Sequence, residues 1–264
     1  MIVAVSDLHL GMNSQNGRVE RRFENFLAYL KENLFRNGGD LVLLGDIFDF
    51  WRNDIKNVLL RSENIIERLF AMESKEIFIH YVVGNHDFYM HTIAREECLP
   101  FFTVAKSLVL FNDSSDSISK YKFIHGYQLE ILANPYIKDF KVYENLAQML
   151  CMMSGITGQI SSGLWYLMHP FEYFSYKRSM TLPPEKRFNT KQKSIDFIER
   201  LATSKARPLY IGKDSDDWLI FGHTHRPFID FGSRTANTGS TRSMPNNEII
   251  YIKIDQGGPK IEIF

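Results

Sequence analysis

The sequence predicts an α/β fold built on a parallel sheet. Two observations carry this. Short apolar runs, Ile2 to Val5, Leu41 to Leu44 and Ile77 to Val83, read as buried strands, and the first two segments between them repeat their apolar residues at helical spacing. A strand–helix–strand–helix–strand order then demands right-handed crossovers, which lay the strands parallel.

Taken in order, Ile2 to Val5 delivers Asp7-Leu8-His9 to the end of the first strand. Val19, Phe23, Phe26, Leu27, Leu30 and Leu34 place one apolar face along a helix, which Asn37-Gly38-Gly39 stops. Leu41 to Leu44 leads into Gly45-Asp46-Ile47-Phe48-Asp49-Phe50-Trp51. Ile55, Val58, Leu59, Ile66, Leu69 and Phe70 predict a second helical face, and the third strand ends in Gly84-Asn85-His86-Asp87. Past Pro100, Ser107 to Phe111 and Tyr121 to Ile124 read as strands around the turn-rich Asn112 to Ser115, and the second delivers His125-Gly126. From about Leu129 to Ala206 the periodicity is helical. Trp218 to Phe221 restores strand character and delivers Gly222-His223-Thr224-His225; Phe228 to Phe231, Glu248 to Ile254 and Lys260 to Phe264 finish as short strands.

Composition narrows the function. The 264 residues suffice for one large domain, and 31 Lys and Arg against 31 Asp and Glu leave no global field to gather nucleic acid, so no nucleic-acid partner is expected. Cys98 and Cys151 are too few for a disulfide framework or a thiolate metal site, which fits a cytoplasmic setting. The amino terminus breaks to charge at Asp7 and reads as a strand rather than a leader, and nowhere do eighteen apolar residues run together.

Asp7, His9, Asp46, Asn85, His125, His223 and His225 all lie at or just past apolar runs, and five of eight histidines fall in these motifs. Singly, an Asp after a strand is a turn-former or helix cap and a His a satisfied structural group. Jointly, imidazoles and carboxylates without cysteine suit Mn, Fe, Zn or Co. A carboxylate shared by two cations about 3.5–4 Å apart makes a dinuclear site, which can bring the pKa of a bridging water from about 15.7 to near 7. The cations also offset charge developing on phosphoryl oxygens.

Asp7-x-His9, Gly45-Asp46-x-x-Asp49, Gly84-Asn85-His86-Asp87, His125 and Gly222-His223-x-His225 resemble the five signature blocks of the calcineurin-like metallophosphoesterases, in the family's order. Asn237-Thr238-Gly239-Ser240 resembles a strand with which that family closes its core. The resemblance implies a four-layer α/β/β/α metallophosphoesterase sandwich, a single domain over residues 1–264 with a helical insertion at about 129–206. It implies one metal on Asp7, His9, Asp46 and His225 and a second on Asp46, Asn85, His125 and His223, most simply two Mn ions. A metal-bridging hydroxide is then the nucleophile, His86 the general acid, and Asp87 the group that orients it, with Asp49 hydrogen-bonding behind the ligands.

Phe50-Trp51, Asn85-His86-Asp87-Phe88 and the insertion resemble the UDP-2,3-diacylglucosamine pyrophosphohydrolases of lipid A synthesis, whose insertion clasps acyl chains. That subgroup has Arg at the position of His86 and Asp at the position of Tyr127. Arg187, Asn189, Lys191 and Lys193 stand where it keeps substrate-binding side chains, which makes a lipid-linked or nucleotide-type phosphate the expected substrate. Asn145 to Phe171 carries no Asp, Glu, Lys or Arg, and Lys177, Arg178, Lys186 and Arg187 follow it. This insertion reads either as a helical pair packed on the sandwich or as a lid touching a membrane periphery. A metal-stabilised scaffold, a nuclease and a protein phosphatase are the alternative functions; no obligatory protein partner is evident. His80 reads as structural, His91 as lining the pocket and His169-Pro170 as a helix stop.

Overall fold

The computed structural model describes residues 1–11, 17–73, 76–97, 99–114, 117–133, 139–153, 190–211, 217–241 and 244–264. Strands β1 (Ile2–Val5), β2 (Gly39–Leu44) and β3 (Ile77–Val82) are parallel neighbours, with Val5 beside Leu43 and Leu44 beside Val82. Their carboxyl ends therefore share one edge, where open α/β sheets place ligands. Helices α1 (Arg18–Tyr29), α2 (Ile55–Arg61) and α3 (Glu63–Glu73) form the crossovers. Helix α4 (Met90–Glu96) leads to β4 (Thr103–Ala105), which pairs parallel with β3.

A second sheet follows. Strands β5 (Ser107–Ser114) and β6 (Ser117–Ile124) form an antiparallel hairpin, and α5 (Tyr127–Ala133), α6 (Phe140–Met153), α7 (Thr190–Thr203) and α8 (Arg207–Ile211) lie between it and β7 (Trp218–Phe221). Strands β8 (Phe228–Asp230) and β9 (Thr235–Asn237) complete a sheet ordered β5-β6-β7-β9-β8. The hairpin β10 (Ile250–Asp255) and β11 (Gly258–Ile263) returns to the first sheet, ordered β11-β10-β1-β2-β3-β4.

Alternation along each strand sorts the core into layers. Ile2, Ala4, Val42, Leu44 and Val82 face Tyr121, Phe123, Trp218 and Ile220, sealing sheet against sheet. Val3, Val5, Leu41, Leu43, Ile79 and Tyr81 turn the other way, onto Phe23, Phe26, Leu69 and the α6 residues Tyr143, Ala147 and Leu150. Leu219 and Phe221 turn outward onto Leu129, Ile198 and Ala202. The four-layer α/β/β/α order is thus present, with helices on both outer faces.

Several elements differ from the sequence reading. The second helical face is two helices broken at buried Ser62: the break resets the phase, so Ile65, Leu69 and Met72 are buried while Phe70 is exposed. The chain from Leu30 to Leu34 closes α1 as a π-turn. Strand β5 runs to Ser114 rather than stopping at Phe111, because the hairpin ladder continues to the Ser114–Ser117 pair. Elements β4 and α4 have no counterpart in the periodicity, being too short to show one.

Candidate metal centre

The loops after β1 and β2 are tied together by their backbones. Asp7 N donates to Gly45 O at 3.1 Å, His9 N to Asp46 O at 2.9 Å, Leu10 N to Ile47 O at 2.7 Å, and Asp49 N back to Leu10 O at 3.0 Å. Across the sheets, Gly222 N donates to His125 O at 2.8 Å, which joins the β6 and β7 ends. Asn237 to Ser240 stitches the sheets: Ser240 Oγ donates to Asp7 O at 2.9 Å, Asn237 Nδ2 to Gly222 O at 2.8 Å, and Ser6 Oγ sits 2.5 Å from Thr238 Oγ1.

This stitching holds the chain in unusual geometry. Asp7, His9, Asp46, His223 and His225 all have φ between 49° and 68°, the left-handed region. Such a conformation costs a non-glycine residue about 1–3 kcal/mol and persists only where its surroundings over-determine it. Here the loops turn each side chain inward.

The result is a cluster of groups with ligand atoms within 4.8 Å of one another: Asp7, His9 and His225; His9, Asp46 and His86; Asp46, His125 and His223. Asp46 belongs to two of these groups, joining the β1 side of the centre to the β6–β7 side. His225 Nε2 lies 3.1 Å from Asp7 Oδ1, His9 Nε2 4.0 Å and His125 Nε2 3.3 Å from Asp46 Oδ2. All seven sequence-predicted ligands sit on these converging loops, and each except His225 and His223 is buried.

The donors fit a cation. Leu44 O can only accept, so the 2.9 Å contact from His125 Nδ1 puts that ring's proton on Nδ1 and turns the Nε2 lone pair inward. Nε2 then meets His223 Nδ1 at 3.2 Å and the Asp46 carboxylate at 3.3 Å, three acceptors around one space. Asn85 Oδ1 is buried nearby with no hydrogen-bond partner among the described residues. Burial opposes charge on His125, yet the Asp46 carboxylate outweighs it and pushes the imidazole up to about 10. Burial likewise opposes the Asp7 anion, which His225 nonetheless holds down at about 2. The proton that Asp46 holds on His125 in the metal-free protein occupies the place a cation would take, and the Asp7 carboxylate is already ionised to receive one.

Asp87 is not where the sequence reading put it. Its carboxylate accepts from Gly84 N at 2.7 Å, Ile47 N at 2.8 Å and Tyr81 OH at 2.5 Å. Burial, reinforced by Asp46, pushes it up to about 6. The carboxylate that orients His86 is Asp49: its Oδ1 lies 3.1 Å from His86 Nδ1 and its Oδ2 accepts from Arg52 at 2.7 Å. Consecutive residues leave the turn in opposite directions, which adjacency in sequence conceals. His86 also stacks on Trp51, ring centroids 4.2 Å apart, and donates its backbone N–H to Asp46 Oδ1 at 2.9 Å.

Glu130 is the residue that sequence reasoning missed. It is buried on α5 with its Oε2 3.0 Å from His223 Nε2 and 3.0 Å from the Tyr143 hydroxyl of α6. The signal was an acid among Tyr127, Leu129 and Ile131, where an unpaired carboxylate is costly. Tyr127 donates to Glu144 at 3.2 Å, stacks on Tyr143 and has its ring centroid 6.5 Å from that of His125. On α7, Glu199 accepts from Thr224 Oγ1 and Arg226 Nε, both at 3.0 Å, and Asp196 accepts from Arg226 at 2.8 Å.

Of the substrate-binding candidates, Arg187 and Asn189 lie outside the described residues; Lys191 and Lys193 fall in the first turn of α7, their side chains outside the description. Lys177, Arg178, Lys186 and His169 lie outside it too. His80 is structural, its Nε2 3.0 Å from Asp40 Oδ1. His91 lines a separate small cavity with Arg95, Leu99 and Phe101. Among the described residues no helix is long and apolar enough to cross a membrane.

Two facing sheets whose loops gather acids and imidazoles define a metallophosphoesterase, and the chain belongs to the calcineurin-like phosphoesterase family, whose profile matches residues 1–227. It is similar to UDP-2,3-diacylglucosamine hydrolases: that of Pseudomonas putida is 25% identical over 232 residues, covering 87% of this chain and 83% of that protein. The corresponding protein of Blochmanniella pennsylvanica is 26% identical over 228 residues, covering 86% and 80%. Among solved structures, a dimetal phosphatase from Danio rerio aligns over 99% of this chain and 97% of its own at 10% identity, with a TM-score of 0.44.

Proposed function

We propose that the chain is a dinuclear-metal phosphohydrolase that cleaves the diphosphate of a nucleotide-linked, acylated sugar. The observation that carries this reading is the Asp46 carboxylate placed between two donor groups, with His86 beside it. Asp7, His9, Asp46 and His225 would hold one divalent cation, and Asp46, Asn85, His125 and His223 the other. When bound, such a pair supplies Lewis acidity at the phosphoryl oxygens and a hydroxide nucleophile at neutral pH.

The protein's own contribution is orientation and a proton. Asp49 accepts from His86 Nδ1–H, which leaves Nε2 to protonate the leaving oxygen. Burial works against the charged imidazole, but Asp46 and Asp49 together hold its pKa above the ordinary value. Trp51 packs flat on the same ring and restrains it.

An acylated substrate is favoured by the relatives' names and by α6. That helix sends Tyr143 to Glu130 while Val142, Met149 and Met152 stay exposed, an apolar surface on the same helix. This surface, on α6 of the segment between β6 and β7, would meet lipid at a membrane face. The full protein is therefore expected to sediment with anionic liposomes, and equal, negligible binding with the insertion replaced by a short linker rejects the membrane contact.

The direct test is hydrolysis of bis-p-nitrophenyl phosphate with Mn²⁺, with and without chelator, followed by UDP-2,3-diacylglucosamine. Chelator-sensitive turnover is expected, with UMP released from the lipid nucleotide and most activity lost in Asp46→Asn. Turnover of the model diester without release of UMP would reject the substrate while keeping the reaction class.

A further inference from the structure

We propose that Glu130, held by Tyr143, is a positioning carboxylate that fixes how His223 meets its metal. The inference rests on the metal reading above and concerns residues that the family blocks do not contain.

An imidazole offers two nitrogens, and a ligand must turn a lone pair toward the cation and its N–H elsewhere. His223 Nδ1 points into the trio with His125 Nε2 and Asp46, while Nε2 points out at Glu130 Oε2, 3.0 Å away. A carboxylate accepts and cannot donate, so it draws the proton to Nε2 and leaves Nδ1 deprotonated. The Tyr143 hydroxyl donates to the same Oε2 at 3.0 Å and aims it. Glu130 sits on an otherwise apolar face of α5, where burying a charge is worthwhile only if partners compensate it. His125 reaches a like arrangement through Leu44 O, so both imidazoles of the trio have an acceptor behind them. Tyr143 lies on α6, so this part of the metal shell depends on a helix outside all five blocks.

The test is calorimetric titration of the metal-stripped full-length protein with Mn²⁺, with thermal melts of the metal-free forms alongside. In Glu130→Gln one of the two binding events should weaken about 10–100-fold, the range typical when the group behind a ligand is altered. The other event, at Asp7, His9 and His225, should be unchanged. Tyr143→Phe, which removes one oxygen and keeps the packing, should weaken the same event about fivefold. Variants that bind both metals as wild type does would overturn the inference, as would equal weakening of both events. A wild-type protein that binds no Mn²⁺ overturns the metal reading itself.

Discussion

Asp49 and Asp87 are two buried acids with opposite duties. Asp49 reaches His86 Nδ1, lies 3.9 Å from His9 Nδ1 and accepts from Arg52, so its loss should appear in catalysis. In Asp49→Asn we expect kcat to fall about tenfold to a hundredfold, most for poor leaving groups, with the melting temperature little changed. Asp87 instead ties the turn after β3 to the loop after β2 by accepting from the backbone amides of Gly84, Ile47 and Phe48 and from Tyr81. Asp87→Asn points an NH₂ at donors, or leaves them unpaired, and should cost about 3 kcal/mol in a denaturant melt. The residues that gather in the candidate centre were legible in sequence because they sit at strand ends. The partners behind them were not: Asp87 adjoins His86 in the chain, while Glu130 comes from a helix whose periodicity says nothing of which imidazole it will face.

The two loops after β1 and β2 behave as one element, zipped by four backbone hydrogen bonds and closed over two glycines. A Cβ at Gly84 would collide with the Asp46 carboxylate, and one at Gly45 would sit 2.5 Å from His125 Nδ1 at a φ of 77°. Gly84→Ala should therefore displace Asp46 and weaken both metals together, read as loss of both Mn²⁺ events in a titration of folded protein. The three parallel strands were readable because each carries a short, mostly buried apolar run, Ile2 to Val5, Leu41 to Leu44 and, around His80, Ile77 to Val82. The α2–α3 break at Ser62 and the short β4 were not, since a phase reset and a three-residue strand leave no period to detect.

At the scale of the molecule, loops from both sheets converge on one cluster, so the cations should brace the whole sandwich. Mn²⁺ at about a hundred times its Kd contributes about 2.7 kcal/mol per site. Calorimetry should show a melting temperature raised by roughly 5 °C or more, reversed by chelator; an unchanged melt would count against metal binding by the native fold. The helices on the outer face join in this bracing, since α6 reaches His223 through Tyr143 and Glu130, and α7 holds Thr224 and Arg226 on either side of His225 through Glu199. Retargeting such an enzyme by grafting the segment between β6 and β7 from a cousin is thus no cosmetic exchange. A chimera would import new contacts for its substrate and forfeit the buttress beneath its own imidazoles, so selectivity and reactivity must evolve hand in hand.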